Sequence, residues 1–249
     1  MKPSLVAPGV YRLGLRGVNV FLIEAGDDLV LIDAGLKGSP PRITEAIYSL
    51  GRLPQDVSAI IVTHAHPDHV GGLAEMKRRT GAPVWMHAAD AELVARGVYG
   101  RRFGAGGGRA SEGLRRAMNL RPESKGAPVA TDHAIADGED LPFDGLRALH
   151  TPGHTAGHLA LLLPRDGGVL FVGDAASNVV HAGLSPLNED LEDSRRSLER
   201  LATLEFEVAC FAHGRPLRHD ASRAFRELVA GFAAAPAATR DEEGPTAPA

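Results

Sequence analysis

Seven residues, Thr63-His64-Ala65-His66-Pro67-Asp68-His69, constrain this chain more than any other stretch. They place three imidazoles and a carboxylate directly after the apolar run Ala59-Ile60-Ile61-Val62, which reads as a buried strand. A polar cluster at the carboxyl end of such a strand is where α/β folds gather their chemistry. Ala65 separates His64 from His66, so an extended backbone points both imidazoles to one side, where they can share a metal ion. Pro67 marks a turn into a helix. Asp68 and His69 therefore aim in another direction and suit a second ion beside the first. The bland reading, a surface loop that happens to be rich in histidine, does not account for this concentration of ligand-type residues.

Three further loops repeat the pattern of an apolar strand punctuated by glycine and a ligand-type residue. They are Thr151-Pro152-Gly153-His154-Thr155-Ala156-Gly157-His158, Phe171-Val172-Gly173-Asp174 and Phe211-Ala212-His213-Gly214. Together with the first motif they supply His64, His66 and His154 for one ion, and Asp68, His69 and His213 for the other, with Asp174 able to bridge them. Nitrogen and carboxylate ligands without thiolate suit two divalent ions. Zinc is the first choice, and iron or manganese are also compatible.

The remaining sequence sets bounds. A chain of 249 residues can bury one sizeable core. Its net charge of −4 gives no global case for binding nucleic acid or an anionic membrane. The lone Cys210 excludes an intrachain disulfide and sits in an apolar run, where it reads as a small core residue. The first residues lack the apolar stretch of a signal peptide, and no run approaches a membrane span, so the expected location is cytoplasmic.

Strands are predicted at Val10 to Leu15, Val18 to Glu24 and Leu29 to Ile32, followed by a helix from Pro40 or Pro41 to Leu50 capped by Ser39. Later expectations are a helix through Ala74 to Arg79, a strand from Pro83 to Met86, a helix from Ala88 to Ala95 and strands around Ala134 and Leu141 to Leu149. Strands at His158 to Leu163, Gly168 to Val172 and Val208 to Ala212 come next, with helices at Glu192 to Leu204 and His219 to Phe232. Residues 1–232 form one expected domain, and 233–249 a disordered tail rich in Ala and Pro. Within the domain, 97–126 breaks the pattern with glycines and a local excess of about five positive charges. It reads as an insertion bordering the active site. Its Tyr99, Phe103, Leu114 and Met118 are candidate apolar contacts, and its arginines, among them Arg101, Arg102, Arg115 and Arg116, are candidates for selecting an anionic substrate.

The motifs Leu31-Ile32-Asp33-Ala34-Gly35, Thr63 to His69, Thr151 to His154, Gly173-Asp174 and Ala212-His213-Gly214 resemble, in order and spacing, those of the metallo-β-lactamase-fold superfamily, in particular its glyoxalase II-like and lactonase-like hydrolases. One departure is Ala212, where the family often has Gly. The resemblance implies an α/β fold, a four-layer αββα sandwich with the metal site at the edge of its two sheets. It also implies that Asp33 is a supporting carboxylate, which could orient a ligand imidazole by accepting its other N–H. His158 matches a variable position and is read as supporting the site rather than ligating. His87, His133, His150, His181 and His219 are read as ordinary histidines, with His181 near the site.

Two such ions would turn a shared water into hydroxide at neutral pH, with Asp68 as the residue that orients it and carries a proton. The expected activity is hydrolysis of a small ester, thioester or lactone. The alternatives are a mononuclear-iron persulfide dioxygenase, and a phosphodiesterase or nuclease. Ser177 stands where the lactonases typically have Tyr, and with few residues after His213, specificity for glutathione thioesters is not expected. The expected partner is a small-molecule substrate, with neither membrane nor nucleic acid, and homo-oligomerisation is left open.

Overall fold

The computed structural model describes residues 2–100, 102–104, 109–119 and 124–234. Four antiparallel strands open the chain: β1 (Ser4–Ala7), β2 (Val10–Gly14), β3 (Asn19–Ala25) and β4 (Asp28–Ile32). Helix α1 (Pro40–Ser49) then crosses over to β5 (Val57–Ile61), parallel to β4. The single turn α2 (Pro67–Val70) and helix α3 (Leu73–Thr80) lead to β6 (Val84–His87), parallel to β5. After α4 (Ala88–Ala95), the short strands β7 (Val98–Tyr99) and β8 (Ser124–Lys125) pair with each other on either side of α5 (Arg109–Asn119). Strand β9 (His133–Ile135) completes a seven-stranded sheet in the order β1-β2-β3-β4-β5-β6-β9.

The second sheet has four strands. Strands β10 (Arg147–His150), β11 (Leu159–Leu163) and β12 (Val169–Gly173) are antiparallel. A small hairpin of β13 (Ala176–Ser177) and β14 (Gly183–Leu184) and helix α6 (Leu191–Ala202) precede β15 (Val208–Phe211), which lies parallel to β12. Helix α7 (Ala221–Ala234) follows.

Alternation along the strands separates three apolar layers. On β3, Phe21 and Ile23 face Leu159, Leu161 and Phe171 between the sheets, and the Phe21 and Phe171 rings meet edge to face at 5.4 Å. The opposite faces of β3 to β5, with Val20, Leu22, Leu31 and Ile60, pack on Ile43 and Ile47 of α1 and on Leu73 and Met76 of α3. The outer face of the second sheet, with Leu170, Val172, Ala209 and Phe211, packs on Leu198 and Leu201 of α6 and on Phe225 of α7. The result is the four-layer αββα sandwich. Cys210 is buried in the inter-sheet core as a free thiol, and burial pushes its pKa up.

One strand is missed and two local expectations are corrected. Strand β1 falls in Ser4 to Ala7, too short and too close to Pro3 and Pro8 to announce itself. Ser39 does precede α1, but its backbone is already helical (φ −74°, ψ −30°) and its hydroxyl makes no capping bond, the first turn being set by Pro40. Leu141 to Leu149 is not one strand: Pro142 and the left-handed Asp144 (φ 52°) make it a turn, and pairing begins only at Arg147. Of the expected tail 233–249, Ala233 and Ala234 close α7, and the rest lies outside the described residues.

Because β4 and β5 are parallel, as are β12 and β15, four carboxyl strand ends come out at one edge of the sandwich. Asp33 follows β4, the His64 to His69 stretch follows β5, Asp174 follows β12 and His213 follows β15.

Candidate metal centre

The loops at that edge bring all seven sequence-predicted ligand residues together. Ligand atoms of His64, His66 and His154 lie within 4.8 Å of one another, and so do those of His64, His69 and Asp174 and those of Asp68, His69 and His213. The two expected sets are therefore both formed. Asp174 stands between them: its Oδ2 is 3.4 Å from His154 Nε2 and 3.2 Å from His213 Nε2. Asp68 Oδ2 is 3.3 Å from His213 Nε2 and 3.7 Å from His69 Nε2.

The far side of each ring decides which nitrogen points inward. Asp33 Oδ2 accepts from His69 Nδ1 at 2.8 Å, Leu187 O accepts from His154 Nδ1 at 2.7 Å, and Gly17 O accepts from His213 Nδ1 at 2.7 Å. The Thr63 hydroxyl donates to Asp33 Oδ2 at 2.9 Å, which leaves its oxygen to accept from His64 Nδ1 at 3.0 Å. In each case Nδ1 donates outward and Nε2 faces the centre, the orientation in which an imidazole ligates. Asp33 holds a strained left-handed backbone (φ 63°) and also accepts from the Thr63 amide at 2.8 Å, so one carboxylate fixes both the His64 and His69 ends of the motif.

The donor set fits a cation. Among the described residues, His64 Nε2, His69 Nε2 and Asp174 Oδ1 are buried without a hydrogen-bond partner, and His66 turns its Nδ1 inward to 2.9 Å from His154 Nε2. Buried polar atoms are normally paired, and this cluster of orphaned nitrogen and carboxylate atoms is what divalent ions satisfy. The electrostatics agree. Burial, reinforced by neighbouring imidazoles, pushes the pKa of His64 and His66 down, keeping them neutral. Burial also works against charge on His69 and His213, but the carboxylates of Asp33 and Asp68 raise the first to about 9, and those of Asp174 and Asp68 raise the second to about 11. Asp68 is held down at about 2, its burial outweighed by His69 and His213. The carboxylates thus call for positive charge at the centre.

Both ring nitrogens of His158 are bonded within the protein. Its Nε2 accepts from the Asp174 amide at 2.8 Å while its Nδ1 donates to Thr151 Oγ1 at 2.8 Å, and burial pushes its pKa down to about 3. It is a neutral prop for Asp174. Gly173 makes this contact feasible, because it is left-handed (φ 56°) and a Cβ there would come within 2.5 Å of His158 Nε2. His181 is exposed and lies away from the cavity walls.

A residue that sequence reasoning missed holds the loops together. Asp90, fully buried on α4, accepts from the Ala65 amide at 2.9 Å, from Thr155 Oγ1 at 2.7 Å and from the Gly157 amide at 3.0 Å. It ties the loop carrying His64 and His66 to the loop carrying His154. The available signal was weak, an acidic residue among the alanines of a short helix. Asp90→Asn keeps the shape but turns an NH2 group toward one of these donors. The expected result is a loss of about 2 kcal/mol, read as a fall in melting temperature of about 4–8 °C, together with weaker metal retention. A wild-type melting curve would refute the clamp.

The centre opens into a cavity of about 320 Å³. Its walls include Pro67, Phe103, Val179, Pro186 and Leu187, with hydroxyls from Ser124, Ser177 and Ser185. Phe103 and Ser124 come from the 97–126 stretch. The other apolar candidates there do not reach it: Tyr99 is buried in the helix-side core with its hydroxyl donating to Ala127 O, Leu114 is exposed away from the cavity, and the Met118 side chain lies outside the described residues. Among the described residues no Lys or Arg lines the cavity. Arg115 and Arg116 both pair with Glu112, Arg102 reaches Asn119 O, and Arg101 lies outside the described residues. The expected selection of an anionic substrate by these arginines therefore has no support in the described geometry.

A four-layer αββα sandwich with clustered histidines and aspartates at one sheet edge defines a metallo-hydrolase class of protein. A family model described as the metallo-beta-lactamase superfamily matches residues 13–213, and the chain belongs to that superfamily. A Bacillus subtilis (strain 168) relative named probable metallo-hydrolase YflN is 31% identical over 245 residues, covering 85% of this chain and 86% of that protein. Thioesterase pkgB of Emericella nidulans is 31% identical over 202 residues, covering 80% of this chain. This chain spans only 46% of pkgB and 52% of the lactamase-like protein aptB of the same fungus, about half the length of these relatives. Among solved structures, a Cronobacter sakazakii metallo-beta-lactamase with a HARLDQ motif superposes with a TM-score of 0.72 at 26% identity, covering 94% of this chain and 92% of that one. Among the described residues no helix is long and apolar enough to cross a membrane.

Proposed function

We propose that this protein hydrolyses a small, uncharged ester, thioester or lactone, with His64, His66 and His154 holding one divalent ion and Asp68, His69 and His213 a second, Asp174 between them. The observation that carries the reading is the convergence of both sets at one cavity whose described walls hold no Lys or Arg. Two ions bound there would lower the pKa of a shared water toward about 7 and polarise the substrate carbonyl. Zinc suits the donor set best.

The chain's own groups do the rest. Asp68 opens the helical turn α2, and its side chain is partly exposed to the cavity. It can orient the attacking water and carry its proton to the leaving group. Asp33, Thr63, Leu187 and Gly17 keep the ligand imidazoles in the ligating tautomer, and His158 holds Asp174 in place. The walls at Phe103, Val179 and Leu187 limit access of bulk water to the reacting carbonyl. The relative named a thioesterase supports an acyl-transfer substrate.

The test is a screen of zinc-loaded protein against thioesters, lactones, carboxylic esters and phosphodiesters, each with and without a chelator. Chelator-sensitive turnover of the carbonyl substrates is expected. Turnover confined to phosphodiesters, or to a persulfide with consumption of oxygen, would replace this reading.

A further inference from the structure

Phe103 is held in place more firmly than a residue in a glycine-rich excursion needs to be. Its backbone is gripped at both polar atoms by one side chain: the Phe103 amide donates to Asn119 Oδ1 at 2.9 Å, and Asn119 Nδ2 donates to Phe103 O at 2.9 Å. The next residue is pinned as well. The Gly104 amide donates to Asn188 O at 2.8 Å, and a Cβ on Gly104 would come within 2.2 Å of Glu189 O, so only glycine allows this approach. Helix α5 and the loop before α6 thus fix a single aromatic ring from two sides.

That ring is buried and packs on two imidazoles of one candidate ion set, with centroids 5.2 Å from His66 and 6.2 Å from His154. Leu187, whose carbonyl accepts from His154 Nδ1, and Val179 continue the apolar wall outward. Val179 is 70% exposed and Val180, beside it on the β13–β14 connection, is 89% exposed. An apolar track therefore runs from the metal ligands to the surface.

We infer that Phe103, set in position by Asn119, is the specificity-determining wall of a subsite for an unbranched hydrocarbon arm of the substrate, extending outward along Leu187 and Val179. This rests on the hydrolase reading of the same site and names its substrate class. The arm can belong to the acyl or the alcohol side of the ester, since both leave the same carbonyl. Phe103 binds it directly, and Asn119 is a positioning residue.

The experiment uses the full chain, zinc-loaded, with one ester series lengthened on the acyl side from acetyl to decanoyl and another lengthened on the alcohol side from methyl to octyl. For the wild type, kcat/KM is expected to rise by about fourfold per buried methylene in one of the two series until the wall is covered. In Phe103→Ala and in Asn119→Ala the ratio of long-chain to short-chain kcat/KM is expected to collapse at least about tenfold, through KM, at equal zinc content. Phe103→Leu, which keeps an apolar wall, should retain most of the ratio. Calorimetric titration with octanol provides a readout that needs no turnover: octanol is expected to bind the wild type and Phe103→Leu more tightly than Phe103→Ala. No chain-length dependence in either series, or a ratio that survives Phe103→Ala, would overturn the subsite. If no ester is turned over, Phe103-dependent octanol binding would still uphold the wall and reject only the hydrolase reading. Octanol binding indifferent to Phe103 would reject the wall.

Discussion

Asp68→Asn is expected to lower kcat at least about 100-fold, the lower range for loss of a positioned acid–base group, in protein that still folds. The argument is positional. Pro67 starts a single helical turn, and that turn projects Asp68 toward His213 and His69 while leaving it in contact with the cavity. Neighbouring positive charge holds its carboxyl at about 2, so across the neutral range it is ionised and can accept a hydrogen bond that orients the water. The amide of Asn occupies the same volume but carries no charge and is not basic. The measurement is kcat on the best ester at matched metal content, alongside a melting curve. Activity within a few fold of wild type would remove Asp68 from the proposed chemistry, whereas loss of activity with loss of metal would make it a ligand only.

Chelation is expected to have the largest effect on stability. A ligand that binds only the folded state at about 1,000 times its Kd contributes about 4 kcal/mol, and for a chain of this size each kcal/mol moves the melting temperature by about 2–4 °C. Removing zinc from a saturated sample should therefore lower the melting temperature by about 8–16 °C, and returning zinc should restore it. The structural reason is that the orphaned nitrogens of His64 and His69 and the oxygen of Asp174 lose their partner. Elemental analysis of the natively purified protein should give two ions per chain. One iron per chain, with the His69 and His213 side unfilled, would favour the dioxygenase alternative.

Much of the site was legible because its residues are chemically unusual where they stand. Three imidazoles and a carboxylate after a buried strand have few other uses, and glycine beside His154, Asp174 and His213 marks close-packed loops. The layering came from the family resemblance, and the alternation of Val20 and Leu22 with Phe21 and Ile23, all apolar, fits a strand buried on both faces. Asp90 was not, because its three donors lie in two distant loops and nothing near it in the chain announces them. The arginines misled for a related reason. Counting charge along 97–126 cannot show that Glu112 neutralises Arg115 and Arg116 one helical turn away. Phe103 was one of four apolar candidates in that segment. Its place on the cavity wall and the bond pattern of Asn119 separate it from Tyr99, which belongs to the core.

The division of the donors between the two sheets has a bearing on how the protein is assembled. His64, His66, Asp68 and His69 follow β5 of the first sheet, whereas His154, Asp174 and His213 belong to loops of the second. Neither sheet can complete either set of donors alone. Ion occupancy is then a reporter of sheet docking: a folding intermediate with one sheet formed, or a fragment ending before residue 150, would hold imidazoles and a carboxylate yet lack the grip of the finished protein. During refolding, the appearance of tight metal binding should coincide with closure of the Phe21–Phe171 contact between the sheets, and the bound ions would act as a rivet against their separation.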